Sequence, residues 1–491
     1  MSNTNLMMLT DGYKLDHRRQ YPEDTRFVYS NFTARGSRIE GQEDTIAFGL
    51  QYFLKKYLME FANESFFSKD KTKVIEDYQR FLDSYIGPND VGTGHISALH
   101  DLGYIPLEFC AVSEGTRVPL RMPMFTVENT HPDFFWVTNY FETLISNTMW
   151  LPITSATTSN RYRKILDSAA NMTSSIPGFV DWQAHDFSMR GMSNSEASAL
   201  SGAGHLLSFT GTDTLPAIQL LADYYSATGL IGGSVPATEH SVMCAGGQED
   251  ELETFRRLLK LYPKGIVSVV SDTWDLWHVV DVILPQLKDE IMARDGKLVI
   301  RPDSGDPADI LCGSINGETE TERKGLIRRL YDIFGGTKNN KGFIELDPHI
   351  GAIYGDSITT SRATDIADRL AGNGFASTNV VLGIGSYTYQ YVTRDTHMMA
   401  MKATWADVGG KERFLFKNPK TDSGMKKSAK GRIVLRNRVN GFTGIQMIDG
   451  LTKDQQASYT HENLLKPVWS DGKFIREENL ADIRARVKVG I

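Results

Sequence analysis

Between about residue 180 and residue 395 the chain repeats one rhythm: a short apolar run closes on Gly, Ser, Asp or Arg, and a helix-period segment follows. Short continuous apolar runs alternating with amphipathic helices are the signature of βα units and a parallel sheet, because a parallel strand is buried on both faces and needs a crossover helix. The run ends are 186–190 (DFSMR), 210–213 (TGTD), 232–241 (GGSVPATEHS), 268–272 (SVVSD), 298–305 (LVIRPDSG), 352–356 (AIYGD) and 381–386 (VLGIGS). Seven units predict a barrel. Helical periodicity fills the gaps, with Leu276, Val279, Val280, Ile283 and Leu287 after Asp272 and Ile366, Ala367 and Leu370 after Asp356. Pro285 is expected to bend or end the first of these, and Ser193 with Glu196 has the spacing of a capping box that starts a helix after Arg190.

A parallel barrel gathers its strand-end loops on one face. That face would carry Arg190, Asp213, His240, Asp272, Arg301, Asp303 and Asp356. A single Asp at a strand end is commonly a helix cap. Cations alternating with carboxylates also suit a ligand bearing both phosphate and hydroxyl groups, since arginine forks hold phosphate and carboxylates accept from hydroxyls or hold hydrated magnesium. The run 232–241 is central, because it delivers the Glu239 carboxylate beside the His240 imidazole. Gly232 and Gly233 would permit positive φ and close approach, Pro236 would stiffen the exit, and a helix should begin soon after Glu249. Histidine can titrate near neutral pH and act as a nitrogen nucleophile, with an adjacent acid fixing its tautomer, although on these ten residues alone a structural histidine is the commoner reading.

The flanks differ in texture. Residues 1–150 mix aromatic-rich strands with helical patterns at 48–61 and 73–87. After about 395 the pattern becomes antiparallel, with turn signals at Asn440-Gly441 and Asp471-Gly472 and a short helix near 477–487. The fold class is therefore α/β, an irregular parallel (β/α) barrel over 151–395 plus an α+β domain assembled from 1–150 and 396–491. Arg394, Lys402, Lys417, Lys426, Lys427 and Lys430 make the last segment locally basic; solvated surface is the usual reading of such a run, as it is for Arg35 in its loop, and Tyr13 reads locally as an anchoring aromatic.

Bulk properties narrow the function classes. At 491 residues, 41% hydrophobic and 23% charged, the chain is ordinary globular material large enough for more than one core. Its net charge of -7 disfavours general nucleic-acid binding while leaving room for local phosphate sites. Cys110, Cys244 and Cys312 are scattered, so neither a disulfide framework nor a zinc site is expected. The first residues lack an apolar signal core and no later stretch reaches 18 apolar residues, so no export and no membrane span are expected, with a cytoplasmic location.

Many of these stretches together resemble the nicotinamide phosphoribosyltransferases, type II phosphoribosyltransferases. The resemblance is carried by LTDGYK at the start, 125–145 (FTVENTHPDFFWVTNYFETLI), HDFSMRG, FTGTDT, SVPATEHS, SVVSD, IRPDSG, YGDS and TRD. It implies a homodimer with active sites shared between subunits, and the substrates nicotinamide and phosphoribosyl pyrophosphate, with ATP as co-substrate and Mg2+ held through pyrophosphate rather than by protein ligands. By resemblance, Phe187 and Tyr13 from the second subunit clamp the pyridine ring, and Asp213 accepts from the carboxamide. Arg190, Arg301, Arg35, Arg394, Lys402 and Lys417 surround phosphate and pyrophosphate. Ser268 joins the substrate site, Asp303, Gly355 and Asp356 meet ribose, and Gly385 and Ser386 lie by the 5-phosphate. His240 would accept a phosphoryl group from ATP, oriented by Glu239 and Asp272. Two positions depart from the pattern: Ser386 and Tyr387 stand where glycines are expected, and Ala400 where a hydroxyl is expected. The alternatives are a nicotinate phosphoribosyltransferase, which should lack a carboxylate at Asp213, a non-catalytic binding protein that keeps the fold, and an unrelated barrel enzyme, which would need a base or Schiff-base lysine at a strand end.

Overall fold

The computed structural model describes residues 4–355, 357–417, 429–438 and 444–489. The chain divides into two compact units, one of 155–222 and 228–392, the other of residues up to 154 with 223–227 and those from 393 onward. The division falls within the 32-residue helix Glu142–Thr173.

The first unit is the barrel. Its strands are β1 (Ala184–Asp186), β2 (Gly211–Thr212), β3 (Lys264–Val270), β4 (Asp295–Arg301), β5 (Ile350–Tyr354) and β6 (Val380–Ile384). They pair in the order β2-β1-β6-β5-β4-β3, every pair parallel. The seventh run forms no strand of its own. It is an extended segment whose Gly233 bridges Gly211 of β2 and whose Ala237 bridges Ser268 of β3, both parallel, so it closes the sheet edge to edge. Gly232 and Gly233 serve this closure through close packing rather than positive φ, which neither adopts: a Cβ on Gly232 would lie 2.8 Å from Thr212 and 2.9 Å from Leu206.

Crossover helices cover the barrel because their apolar stripes match its outer face. In Thr360–Gly372 the buried residues are Ala363, Ile366, Ala367 and Leu370, one face at helical spacing. Glu320–Phe334 starts on a full capping box of Thr319 and Glu322. The helix after Arg190 is Ser195–His205, and its cap is Asn194, which accepts from the Ala197 amide; the Ser193 box does not form because the chain enters the helix one residue later. The segment from Leu276 passes through a π-helical stretch, Val279–Ile283, just before Pro285, whose missing N–H and ring bulk widen the preceding turn. The helix near Glu249 is Glu251–Leu261, and a shorter one, His240–Gly246, precedes it. Val267, Val269, Leu298, Ile300, Ala352, Leu382 and Ile384 fill the barrel core with Ile283, Leu330 and Ile366.

The second unit interleaves both ends of the chain. Its seven-stranded sheet runs Lys411–Phe414, Met399–Val408, Thr25–Ala34, Pro123–Asn129, Leu107–Ala111, Lys466–Ser470, Lys473–Phe474, antiparallel throughout. Asp471 and Gly472 make the last hairpin with φ of 49 and 79°, the left-handed pair of a type I′ turn. Leu50–Phe53 with its continuation Leu54–Phe61, Lys71–Ile86, and Leu480–Val489 supply helices. Asn440-Gly441, Lys426, Lys427 and Asp356 lie outside the described residues. Among the described residues no helix is long and apolar enough to cross a membrane.

Candidate active site

Because all six strands and the closing segment run the same way, their C-terminal ends open on one rim. That rim carries Phe187, Arg190, Asp213, His240, Asp272, Arg301, Asp303, Gly355, Gly385 and Ser386.

At one side stand the ring-facing residues. The Phe187 amide donates to Ile384 O at 2.9 Å and the Asp213 amide to Asp186 O at 3.0 Å, which ties both loops to strand ends. His185, central in β1, packs against Phe187 with ring centroids 4.5 Å apart and planes tilted by 34°, and places Nε2 3.2 Å from Asp213 Oδ1. A carboxylate only accepts, so Nε2 carries the proton. Burial alone would push the Asp213 carboxyl up; hydrogen bonds from His185 and Ser234, with the charges of His185 and Arg301, outweigh it and hold the group below the ordinary carboxylate range.

The other side is a charged cluster. His240 opens its short helix; Nδ1 lies 3.1 Å from Thr273 Oγ1, and Nε2 lies 3.9 Å from both Asp272 Oδ1 and Asp303 Oδ2. Asp272 is fixed in turn, its Oδ2 accepting from the Asp303 amide at 2.9 Å and from Ser304 Oγ at 2.6 Å. Glu239 is engaged elsewhere, accepting from Ser241 Oγ, so the carboxylates facing the imidazole are Asp272 and Asp303. The guanidinium of Arg301 donates to Thr238 O at 2.6 Å; burial pushes Arg301 down from its usual range, opposed by Asp303, Asp213 and Asp272. Ser268 Oγ, Asp272 Oδ1 and Arg301 Nε are buried here with no hydrogen-bond partner, polar atoms positioned for a ligand to satisfy.

Two glycines hold the loops close. A Cβ on Gly355 would lie 2.3 Å from Asp303 Oδ1, so Gly355 lets that carboxylate lie against the end of β5. A Cβ on Gly191 would lie 2.0 Å from Ser386 Oγ, which means Ser386 packs its hydroxyl against the turn that carries Arg190. Tyr387 is exposed and stacks on Tyr391, centroids 5.4 Å apart.

The second unit, taken by itself, groups Arg35, Arg394, Lys402 and Lys417. The Lys402 ammonium is pushed below the usual lysine range by burial and by Arg35, Lys417 and Arg394, with Glu142 opposing. Arg394 also pairs with Asp395 at 3.4 Å, and the like charges gathered around the Lys402 ammonium favour an anion there. Ala400 lies buried two residues before Lys402 on Met399–Val408. Tyr13 is exposed in the turn Gly12–Asp16, with the Lys14 ammonium 5.5 Å from its ring. Lys14 itself is buried and bonds Glu142 at 2.8 Å.

Residue-by-residue reading of the sequence missed His185, Thr273 and Thr238. His185 was legible in principle, since residues i and i+2 of a strand share a face and Phe187 follows by two.

Residues 182–472 match the nicotinate phosphoribosyltransferase family model, and residues 5–85 match the N-terminal domain of nicotinamide phosphoribosyltransferase. A protein of Acinetobacter baylyi named nicotinamide phosphoribosyltransferase is 48% identical over 490 residues, 97% of this chain and 96% of that one. One of the same name from Mycoplasma pneumoniae is 36% identical over 448 residues, covering 88% and 96%. Among solved structures, nicotinate-nucleotide pyrophosphorylase from Pyrococcus furiosus aligns over 99% of this chain and 95% of its own at a TM-score of 0.60 and 14% identity. Human nicotinic acid phosphoribosyltransferase aligns over 98% and 93% at 0.56 and 16%; at such identities the likeness is one of fold. With a matching family model across more than half its length and near full-length relatives at these identities, the chain belongs to the nicotinate phosphoribosyltransferase family and is a phosphoribosyltransferase.

Proposed function

We propose that this chain forms nicotinamide mononucleotide and pyrophosphate from nicotinamide and phosphoribosyl pyrophosphate, a salvage step toward NAD. The observation that carries the reading is the Asp213 carboxylate at the rim, 3.2 Å from His185 Nε2 and held below the ordinary carboxylate range by its donors and nearby charges. A carboxylate there accepts from a carboxamide NH2 and repels a carboxylate, so it selects amide over acid. The shared name of the relatives at 48% and 36% identity supports the same choice.

In this reading the C1–O bond of the ribose breaks with its electron pair leaving on pyrophosphate, and the pyridine nitrogen lone pair closes the new N–C1 bond. No proton is abstracted, so no strong base is needed. The work is orientation and stabilisation of the departing charge. Phe187 presents a flat face to the ring; Arg190 and Arg301 meet phosphate oxygens; Asp303, Gly355 and Asp356 meet the ribose; Ser268 offers its unpartnered hydroxyl; Gly385 and Ser386 lie by the 5-phosphate. Tyr13, Arg35, Arg394, Lys402 and Lys417 of a second copy complete each site in a homodimer. By resemblance, magnesium would be held through the oxygens of pyrophosphate, where it would neutralise the charge of the leaving group.

The cluster at His240 fits coupling to ATP. In this reading an imidazole nitrogen attacks the terminal phosphorus, the bond to the bridging oxygen breaks and ADP departs, while Asp272 and Asp303 beside Nε2 and Thr273 at Nδ1 hold the ring. Incubation with γ-labelled ATP tests this half: acid-labile label on wild type and none on His240→Ala is expected, and label retained by His240→Ala contradicts it. The reaction itself is tested by assaying nicotinamide against nicotinate with wild type and Asp213→Ala; nicotinamide is preferred and the mutant loses the preference, whereas a preference for nicotinate contradicts the amide role.

A further inference from the structure

We propose that His185 is a specificity-determining positioning residue, whose Nε2–H aims the selecting carboxylate of Asp213 while its ring backs Phe187. The proposal rests on the reading of Asp213 as the acceptor for the carboxamide.

Three observations converge on this side chain. His185 is the central residue of β1, with Gly383 of β6 and Gly211 of β2 as its cross-strand neighbours, so its backbone is held on both sides. Gly211 is what leaves room for the ring, since a Cβ there would lie 2.8 Å from His185 Nδ1. From that fixed position the ring makes both contacts that a selective pyridine site requires, Nε2 at 3.2 Å from Asp213 Oδ1 and a tilted ring contact with Phe187 at 4.5 Å between centroids. The Asp213 side chain is 43% exposed toward the rim while that of His185 is 11% exposed, so the carboxylate meets the ligand and the imidazole stands behind it.

Removing the Nε2–H leaves Asp213 partly buried and short of its first donor. The carboxylate is then free to turn away, so that it no longer meets an amide NH2 as acceptor or a ligand carboxylate head-on. Nicotinamide therefore loses its acceptor and nicotinate loses its repulsion. The ring nitrogen, which reacts, is remote from this contact, so the effect falls on KM more than on kcat.

The test measures kcat and KM for nicotinamide and for nicotinate, at saturating phosphoribosyl pyrophosphate and magnesium, in wild type, His185→Leu, His185→Gln, Asp213→Asn and the double variant His185→Leu/Asp213→Asn. His185→Leu is expected to lower the nicotinamide-to-nicotinate ratio of kcat/KM about tenfold, chiefly through KM for nicotinamide, the size of one lost charge-assisted hydrogen bond. His185→Gln, whose amide N–H reaches the position of Nε2, restores most of the ratio. The Leu change adds nothing to the ratio once Asp213 is Asn. Should the Leu variant melt early, His185→Asn, too short to reach Asp213, gives the same contrast with Gln. Equal losses on both substrates, or a ratio moved by Asp213→Asn but not by His185→Leu or His185→Asn, overturn the proposal alone. A ratio unmoved by Asp213→Asn overturns the amide-acceptor reading and this proposal with it.

Discussion

Gly355 shows how a single missing methyl group sets a functional distance. Its hydrogen lets Asp303 lie against the strand end, 2.3 Å from where a Cβ would be. Asp303 is the free end of a side chain and can swing away, so Gly355→Ala should leave the melting temperature within a few degrees of wild type while raising KM for phosphoribosyl pyrophosphate about tenfold or more. An unchanged KM, measured by steady-state kinetics, removes the assignment of Asp303 to the ribose. Glu114 poses a different residue-scale test. It is buried, accepts from the Gly49 amide at 3.0 Å and the Gln51 amide at 2.7 Å, and burial raises its pKa to about 7 despite those bonds. A carboxyl whose folded pKa lies above its unfolded value contributes stability that is fully present below the unfolded value and lost as pH rises toward about 7. Stability should fall by on the order of 3 kcal/mol between pH 4.5 and 7.5 from this group, and Glu114→Gln should flatten the decline in denaturant titrations at several pH values.

At the scale of elements, one buried ion pair ties the two-stranded sheet of Arg432–Asn437 and Ile445–Leu451 to the Pro123–Asn129 strand of the second unit's large sheet. Arg432 forks onto both Glu128 oxygens, and its guanidinium stacks on Tyr29 at 4.5 Å and Trp405 at 4.7 Å. Arg432→Ala leaves Glu128 only the looser contact with Lys453 at 3.8 Å and should cost roughly 2–4 kcal/mol in unfolding free energy. Arg432→Lys should recover little of it, because an ammonium reproduces neither the fork nor the stacking plane. The same scale explains what the sequence could convey. Strand ends at Asp186, Thr212, Val270, Arg301, Tyr354 and Ile384 were legible because apolar runs stop where the chain leaves the barrel interior. The closing segment was legible as a loop with a role, yet not as the piece that completes the sheet, since two isolated bridges at Gly233 and Ala237 leave no periodic pattern. The cap at Asn194 was missed because Ser193 and Glu196 offered a stronger local signal that the chain's path overrode. His185 and Thr273 escaped residue-by-residue reading because a partner to an acid or an imidazole is defined by folding, not by spacing. The roles of Tyr13, Phe187 and the cations came by resemblance, and no spacing in the chain states them.

The proposed sharing of sites between two copies makes a prediction about the whole molecule. Arg35→Ala damages the cation group of the second unit, and Asp213→Ala damages the barrel rim. If each site draws on both subunits, refolding equal amounts of the two inactive variants together should return about a quarter of wild-type activity, as random pairing of subunits puts one intact site on half of the dimers. No recovery, in dimers verified by sedimentation, places each site within one chain.

The most direct test of the central claim is the product formed when wild-type protein meets phosphoribosyl pyrophosphate, magnesium and equimolar nicotinamide and nicotinate, resolved by chromatography. Nicotinamide mononucleotide as the dominant product, with the preference weakened in Asp213→Ala, is what the account predicts. Nicotinate mononucleotide as the dominant product, or neither product at any ATP concentration, contradicts it.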